Sequence, residues 1–226
     1  MIRKIFVIFA IAGLIMMLLP LVVNFEYKDS LNELSSQYVR GSIDDLKSQN
    51  VVTSVIVSYR GLDTLGEVTV LFLATAGVGF LLKHKKNKNS LRKASELLQT
   101  SSSFLVALII LFGIYIFVHG HLTPGGGFQG GVIIASAFLL MILSDINLKF
   151  NHLILHLVES FSGAFYVVVG LIGLLLGIGF LNINIVPLGN FGQLFSAGAI
   201  PIVYSLIGLK VGAELTAILN TMGGEQ

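Results

Sequence analysis

Two opposite charges stand one helical turn apart in the last apolar stretch of the chain, Lys210 and Glu214. At i and i+4 they share a helix face and can neutralise one another. An ionisable group at the centre of a membrane helix costs at least roughly 2.5–3.5 kcal/mol, so a charge kept there is a candidate for moving ions. A Lys–carboxylate pair suits a proton relay, because exchanging partners changes how firmly each group holds its proton. Glu159 and His156, at i and i+3, form a second constellation, with His152 a turn earlier. The three would line one stripe entering the membrane, and imidazole titrates near neutral pH. A polar helix end at the interface fits the same pattern.

Glu67 is a third candidate. Thr64-x-x-Glu67 has the spacing of a capping box, Asp63 could cap the same helix end and Arg60 could neutralise it. On position alone a cap is the better reading. His119 and His121, at i and i+2, could ligate a metal in an extended loop, but no third ligand lies nearby and no metal site is expected.

The stretch His119-Gly120-His121-Leu122-Thr123-Pro124-Gly125-Gly126-Gly127-Phe128-Gln129-Gly130-Gly131 is the most specific in the chain. No Lys-Ser/Thr follows the glycines, so it is not a phosphate loop. It joins two apolar segments with no strand before it, so it is not a dinucleotide fingerprint. Pro124 should stop one element, and the glycines permit a sharp turn. Gly126 and Gly130, with Gly127 and Gly131, repeat at i and i+4 and make a stripe on which another helix can pack closely. Gln129 sets a polar group beside it.

These groups must be positioned by membrane helices. The chain has 226 residues, of which 54% are hydrophobic and 12% charged, with a mean hydropathy of +0.88. An ordinary soluble domain carries roughly 25% charged residues, so most soluble readings are ruled out, as is disorder. With no cysteine, disulfides, thiolate metal sites, iron–sulfur ligation and cysteine nucleophiles are excluded. A net charge of +2 does not suggest nucleic-acid binding. About 20 apolar residues span a bilayer as a helix. Six segments qualify: Ile5–Val23, Thr64–Leu82, Phe104–Val118, Phe128–Leu143, Glu159–Leu181 and Phe195–Leu219. The expected fold is all-α and polytopic. Arg3, Lys4, Lys83, Lys85, Lys86, Lys88, Arg92, Lys93 and Lys149 fall on one side, which places both termini in the cytoplasm. No small-x-small cleavage site follows Pro20, so the first segment reads as a retained anchor rather than a signal peptide.

The basic stretch 84–100 divides the chain into a two-span piece, 1–83, and a four-span piece, 101–226. Within the linker, Ser90–Leu98 could form an amphipathic interfacial helix. The first piece holds an outer loop, 24–63, ending in the β-branched run Val51–Tyr59, which predicts an extended segment.

The hairpin Gly120-His121-x-x-Pro124-Gly125-Gly126-Gly127-Phe128-Gln129-Gly130-Gly131 resembles the hallmark of the MnhB/MrpB family, small membrane subunits of Mrp-type multisubunit sodium/proton antiporters. Relatives in membrane-bound hydrogenase-type complexes are of the MbhF kind. Pro201-x6-Gly208-Leu209-Lys210-Val211-x2-Glu214 resembles the last helix of the same family, and the likeness covers roughly 97–223. Val52-Thr53-x-Val55, then Tyr59-Arg60-Gly61-x-Asp63-Thr64-Leu65-Gly66-Glu67, resembles MbhE, or the C-terminal tail of the large MrpA subunit. A fusion of these two pieces departs from the simple MnhB pattern.

The resemblance implies a multi-pass subunit of a prokaryotic plasma-membrane antiporter module, with no cofactor or catalytic centre of its own. It would work with other membrane subunits, lipid, and Na+ and H+ as transported ions. It raises Glu67, Lys210 and Glu214 as candidates for the ion or proton path, with Glu159, His156 and His121 behind them. Two alternatives stay open: the same module driven by a hydrogenase or ferredoxin-oxidising arm, and a purely structural scaffold.

Overall fold

The computed structural model describes residues 2–25, 30–82, 94–145, 150–176 and 179–222. The linker charges from Lys83 to Lys93, the expected start of an interfacial helix at Ser90, and Lys149 lie outside the described residues.

The described chain is all-helical, as expected. Its elements are α1 (Ile2–Val23), α2 (Glu33–Asp44), α3 (Val51–Thr53) running into a π-helical stretch (Ser54–Tyr59), α4 (Gly61–Leu82), α5 (Glu96–Val118), α6 (Gly127–Ser144), α7 (His152–Leu175), a 3-10 turn (Ile183–Ile185) and α8 (Ile200–Met222). Six of them, α1 and α4 to α8, are long and apolar enough to cross a membrane. Several bounds differ from the sequence reading. α5 starts at Glu96, with Ser95 as its cap accepting from Leu98 N, so the end of the expected linker is already helix. α7 starts at His152 under an Asn151 cap and ends at Leu175, before the expected Leu181. α8 begins at Ile200 and not Phe195. For α5 and α7 hydropathy located the apolar run while local capping set the start.

The chain forms two compact units, Met1–Ser36 and Gln37–Gln226. The first holds α1, which carries Pro20 near its C-terminal end, and the opening turn of α2, where Asn32 Oδ1 accepts from Ser35 N at 2.7 Å.

In the second unit α8 is the hub: α4, α5, α6 and α7 all pack on it. Tyr204, Ile207 and Val211 are at most 2% exposed. The glycines of α6 allow this density. A methyl group at Gly127 would lie 2.6 Å from Ile207 Cβ and 2.8 Å from Tyr204 O, and one at Gly131 would lie 2.8 Å from Gly208 O. Gly130 faces the other way, where a methyl would stand 2.6 Å from Gly113 O on α5. The stripe is therefore occupied by the chain's own α5 and α8. At the hairpin Gly125 has φ of 152°, which a side chain rarely tolerates. Pro124 at the turn and Gln129 at the start of α6 are both exposed.

The run Val51–Tyr59 is helical, which corrects the extended segment predicted from its β-branched residues. Tertiary contacts override the propensity. Asn50 caps α3 by accepting from Thr53 N, and its Nδ2 donates to Gly120 O at 2.9 Å and Thr123 O at 3.0 Å. Thr53 Oγ1 donates to Gly120 O at 2.7 Å and accepts from Tyr204 OH at 3.1 Å. Ser42 and Ser54 hydroxyls lie 2.6 Å apart, and Val57 is fully buried. The π-type bond from Arg60 N to Val55 O, at 2.7 Å, absorbs the extra residue before α4 begins.

Candidate functional site

Lys210 and Glu214 lie on the face of α8 between α4 and α7. Lys210 Nζ donates to Glu214 Oε1 at 2.5 Å, with the side chains 11% and 0% exposed. The second carboxylate oxygen, Oε2, is buried and has no partner among the described residues. Phe72 of α4 places its ring centroid 5.2 Å from Lys210 Nζ, close enough for a cation–π attraction. On the opposite side, Gly163 of α7 leaves space along the lysine stem: a methyl there would stand 3.5 Å from Lys210 Cε.

α4 and α7 both pack on α8, and two cavities fill the gap between them. One, of about 270 Å³, is lined by Phe72, Thr75, His152, His156, Glu159 and Glu214, among others. The other, of about 180 Å³, is lined by Leu65, Thr69, Phe72, Gly163, Tyr166 and Lys210, with Val68 and Val167. Glu214 belongs only to the first, Lys210 only to the second, and Phe72 to both. The ion pair is thus the septum between them. The first cavity, mostly apolar but carrying the polar groups of His152, His156 and Glu159, has room for several waters at about 30 Å³ of liquid each.

The predicted stripe on α7 is present. His152, His156 and Glu159 all face the first cavity, and His156 Nδ1 lies 3.3 Å from Glu159 Oε2. Exposure falls along the stripe: the His156 side chain is 66% exposed and that of Glu159 10%. His152 Nε2 is 3.0 Å from Asn220 Nδ2 on α8, which ties the cavity mouth across two helices.

Glu67 is not brought into this group. It is exposed on α4 and lines neither cavity. The capping box expected around it does not form. α4 starts at Gly61, so Thr64 is already inside the helix, and its hydroxyl donates to Ile56 O at 2.5 Å. Arg60 pairs with Asp63 at 2.5 Å instead. The N-terminus of α4 is held by Tyr166, whose hydroxyl donates to Gly61 O at 3.1 Å.

His121 is also apart, buried at 0% exposure where the hairpin meets the segment before α3. Its carbonyl accepts from Gln49 N, Asn50 N and the Ser48 hydroxyl. Its Nε2 lies 3.4 Å from Gln193 O, and Nδ1 has no partner among the described residues. Burial lowers its pKa below the ordinary 6.5. His119 stacks on Tyr115 at 4.2 Å rather than joining His121. Among the described residues no group of three or more His, Asp or Glu is arranged to hold a metal ion.

Sequence reasoning missed Phe72, Asn220 and Gly163. Asn220 had a signal, a polar residue in an apolar helix. Phe72 and Gly163 had none, since their roles arise from packing against Lys210.

Comparison with known proteins matches residues 97–217 to the family described as a domain related to the MnhB subunit of Na+/H+ antiporter. Residues 2–97 match the MbhE family of MBH subunits. An uncharacterized protein of Methanocaldococcus jannaschii is 30% identical, over 74% of each chain. The putative antiporter subunit mnhB2 of Staphylococcus saprophyticus is 43% identical over 54 residues, which span 24% of this chain and 38% of that protein. Among solved structures, a chain of the membrane-bound sulfane sulfur reductase, an archaeal respiratory membrane complex, is similar over 100% of both chains, with a TM-score of 0.80 and 40% identity. A chain of the Mrp complex from Dietzia sp. DQ12-45-1b has a TM-score of 0.75 and 25% identity over 98% of this chain and 26% of that one.

Proposed function

The chain belongs to the family of the MnhB-related domain, and from that premise we propose that it is a non-catalytic membrane subunit of an Mrp-type ion-translocating module. The observation that carries the reading is the ion pair standing between two cavities, with Glu214 facing one and Lys210 the other. A proton reaching Glu214 from one cavity neutralises the carboxylate and frees the Lys210 ammonium. The ammonium releases a proton to water in the second cavity, and the neutral amine then recovers the proton held by Glu214. One proton has crossed the septum and the pair is restored. Such an element works as one station in a larger machine, beside other membrane subunits and lipid, in a prokaryotic plasma membrane.

Both termini are read as cytoplasmic. The two pieces, residues 1–83 and 101–226, are joined by the basic stretch 84–100. Sodium enters the coupled reaction through the complex.

A second reading places the module under a redox-driven arm. It is favoured by the whole-length likeness, through both pieces, to a chain of an archaeal respiratory complex. The Mrp chain matched at 25% identity is about four times longer, as the 26% coverage implies. Purification of the native complex in mild detergent distinguishes the two: iron–sulfur subunits co-purify only with the redox-driven form.

The test of the site is a double-substitution cycle in the intact complex. Lys210→Met and Glu214→Gln each slow proton movement by at least about tenfold. The double variant loses less than the two losses combined, because the groups act as a unit. Additive losses, or normal transport in an assembled Glu214→Gln complex, refute the proposal.

A further inference from the structure

We infer that the cavity at the His152–Glu159 end of α7 is a proton-entry route that does not take Na+, loaded by His156 and Glu159 and ending on Glu214. The inference rests on the reading of Lys210 and Glu214 as an ion-transfer element and specifies which ion reaches it and by what groups.

Three observations carry it. The first is the order of the titratable groups. His156 at the mouth is 66% exposed, Glu159 is 10% exposed, and Glu214 is fully buried. His156 Nδ1 already contacts Glu159 Oε2 at 3.3 Å. All three residues line one cavity of about 270 Å³, which has room for water beside Glu159; the Glu214 carboxylate is shielded from it at 0% exposure, so a small movement of the cavity wall must open the last step. The second is Glu214 Oε2, buried and without a partner among the described residues while Oε1 is held by Lys210. It is the acceptor that a proton arriving from this cavity would meet.

The third is the ligand chemistry. Hard cations take a shell of several oxygens, and membrane sodium sites draw many of theirs from unwound backbone carbonyls. Here α4, α7 and α8 are continuous helices around the cavity, so their carbonyls are committed to helical bonds. Besides the carboxylates, among the described residues the cavity offers only the hydroxyl oxygens of Thr75 and Thr221, whose protons go to Phe72 O and Ala217 O. Two of the polar groups are imidazoles, which carry protons readily and bind sodium poorly. The Lys210 ammonium, 2.5 Å from Glu214 Oε1, already fills the cation position at the inner carboxylate. A sodium ion would have to share that carboxylate with it.

The transfer balances at each step. An imidazolium N–H of His156 gives its proton to Glu159 Oε2, leaving neutral imidazole and a neutral carboxyl. Glu159 passes the proton through water to Glu214 Oε2 and returns to carboxylate. His156 is reloaded from solvent.

The experiment uses the complete complex in proteoliposomes, with internal pH followed by a trapped dye and sodium by 22Na+. Glu159→Gln slows proton movement by about 100-fold, while the Na+ concentration giving half-maximal rate changes by less than about twofold. Glu159→Asp, which keeps a carboxylate, restores most of the rate and controls for folding. His156→Gln slows proton movement more at pH 7.5 than at pH 6, where bulk protons load Glu159 directly. A half-saturating Na+ concentration raised tenfold or more in Glu159→Gln, with the proton rate recovered at saturating Na+, would overturn the inference and make the cavity a sodium site. Unchanged proton movement in Glu159→Gln beside a block in Glu214→Gln overturns the entry route and leaves the ion-pair reading standing. If Glu214→Gln also transports normally, the ion-pair reading itself fails.

Discussion

A methyl group added at Gly131 is a direct test of how tightly α6 sits on α8. The ideal Cβ there lies 2.8 Å from Gly208 O and 2.8 Å from Val211 Cβ, against 3.4 Å for ordinary contact. The gap to be opened is about 0.6 Å, the difference between these two distances. Neither neighbour is the loose end of a flexible side chain, so the two helices must separate. Overpacking of this kind costs about 1–3 kcal/mol. Alanine is a better helix former than glycine by about 0.8–1.0 kcal/mol, which offsets part of it. The net loss is roughly 0–2 kcal/mol, and in a chain of this length each kcal/mol moves the melting temperature by about 2–4 °C. Gly131→Ala in detergent therefore melts up to about 8 °C lower than the unsubstituted chain, and about 2–12 °C lower than a glycine-to-alanine change that meets no neighbour. Gly77→Ala is the control, since nothing lies within 4 Å of its Cβ and the residue is exposed on α4. That variant keeps the propensity gain and melts at or above the unsubstituted chain. The comparison is made by thermal unfolding of the purified full chain. If Gly131→Ala melts no lower than Gly77→Ala, the close approach of α6 to α8 is wrong.

Other consequences are open to simpler measurements. Glu67→Gln leaves the melting temperature within about 2 °C, because the side chain caps nothing and a surface change is worth about 0.5 kcal/mol or less; if Glu67 serves the ion path, transport falls in the same variant, and normal transport removes it from the path. Topology is read by single cysteines in the naturally cysteine-free chain. Ser42 is buried and bonded to Ser54, so the reporters belong at the exposed Asn190 and Ser95; an impermeant thiol reagent applied outside labels position 190 and spares position 95, and the reverse overturns the orientation. Burial lowers the His121 pKa, so the unfolded chain binds a proton more readily there and stability is retained above about pH 6.5 and lost as the pH falls below it. Melting at pH 5.5 against pH 8 reads this loss, and His121→Gln shrinks the difference; an undiminished difference assigns the pH response to other groups.

The parts of this architecture that depend on periodicity were readable from the sequence. Six apolar runs, the glycine hairpin, the shared face of Lys210 and Glu214, and the stripe of His152, His156 and Glu159 all follow from spacing within one segment. What depends on contacts between distant segments was not. Val51–Tyr59 carries β-branched residues yet winds into a helix, because Thr53 and Asn50 reach Gly120 some 67 and 70 residues away. The capping box at Thr64 failed for a local reason: the turn at Arg60 started α4 ahead of it. The cavities, and the place of Phe72 over Lys210, exist only because α4 and α7 pack on α8 without filling the gap between them.

The ribosome makes the hub helix after every helix that packs on it. Each of those four must wait in the membrane with its α8-facing surface unfilled, and the bare backbone of Gly127 and Gly131 has nothing to hold until Tyr204, Ile207 and Val211 have been synthesised. A chain broken off before residue 200 would thus lose far more than one span. It would lack the element on which four helices close, leaving an open hairpin with exposed polar backbone at its tip, a form suited to capture by membrane proteases. The Lys210–Glu214 pair arrives with that same helix, so no intermediate of synthesis contains the two cavities without the pair between them.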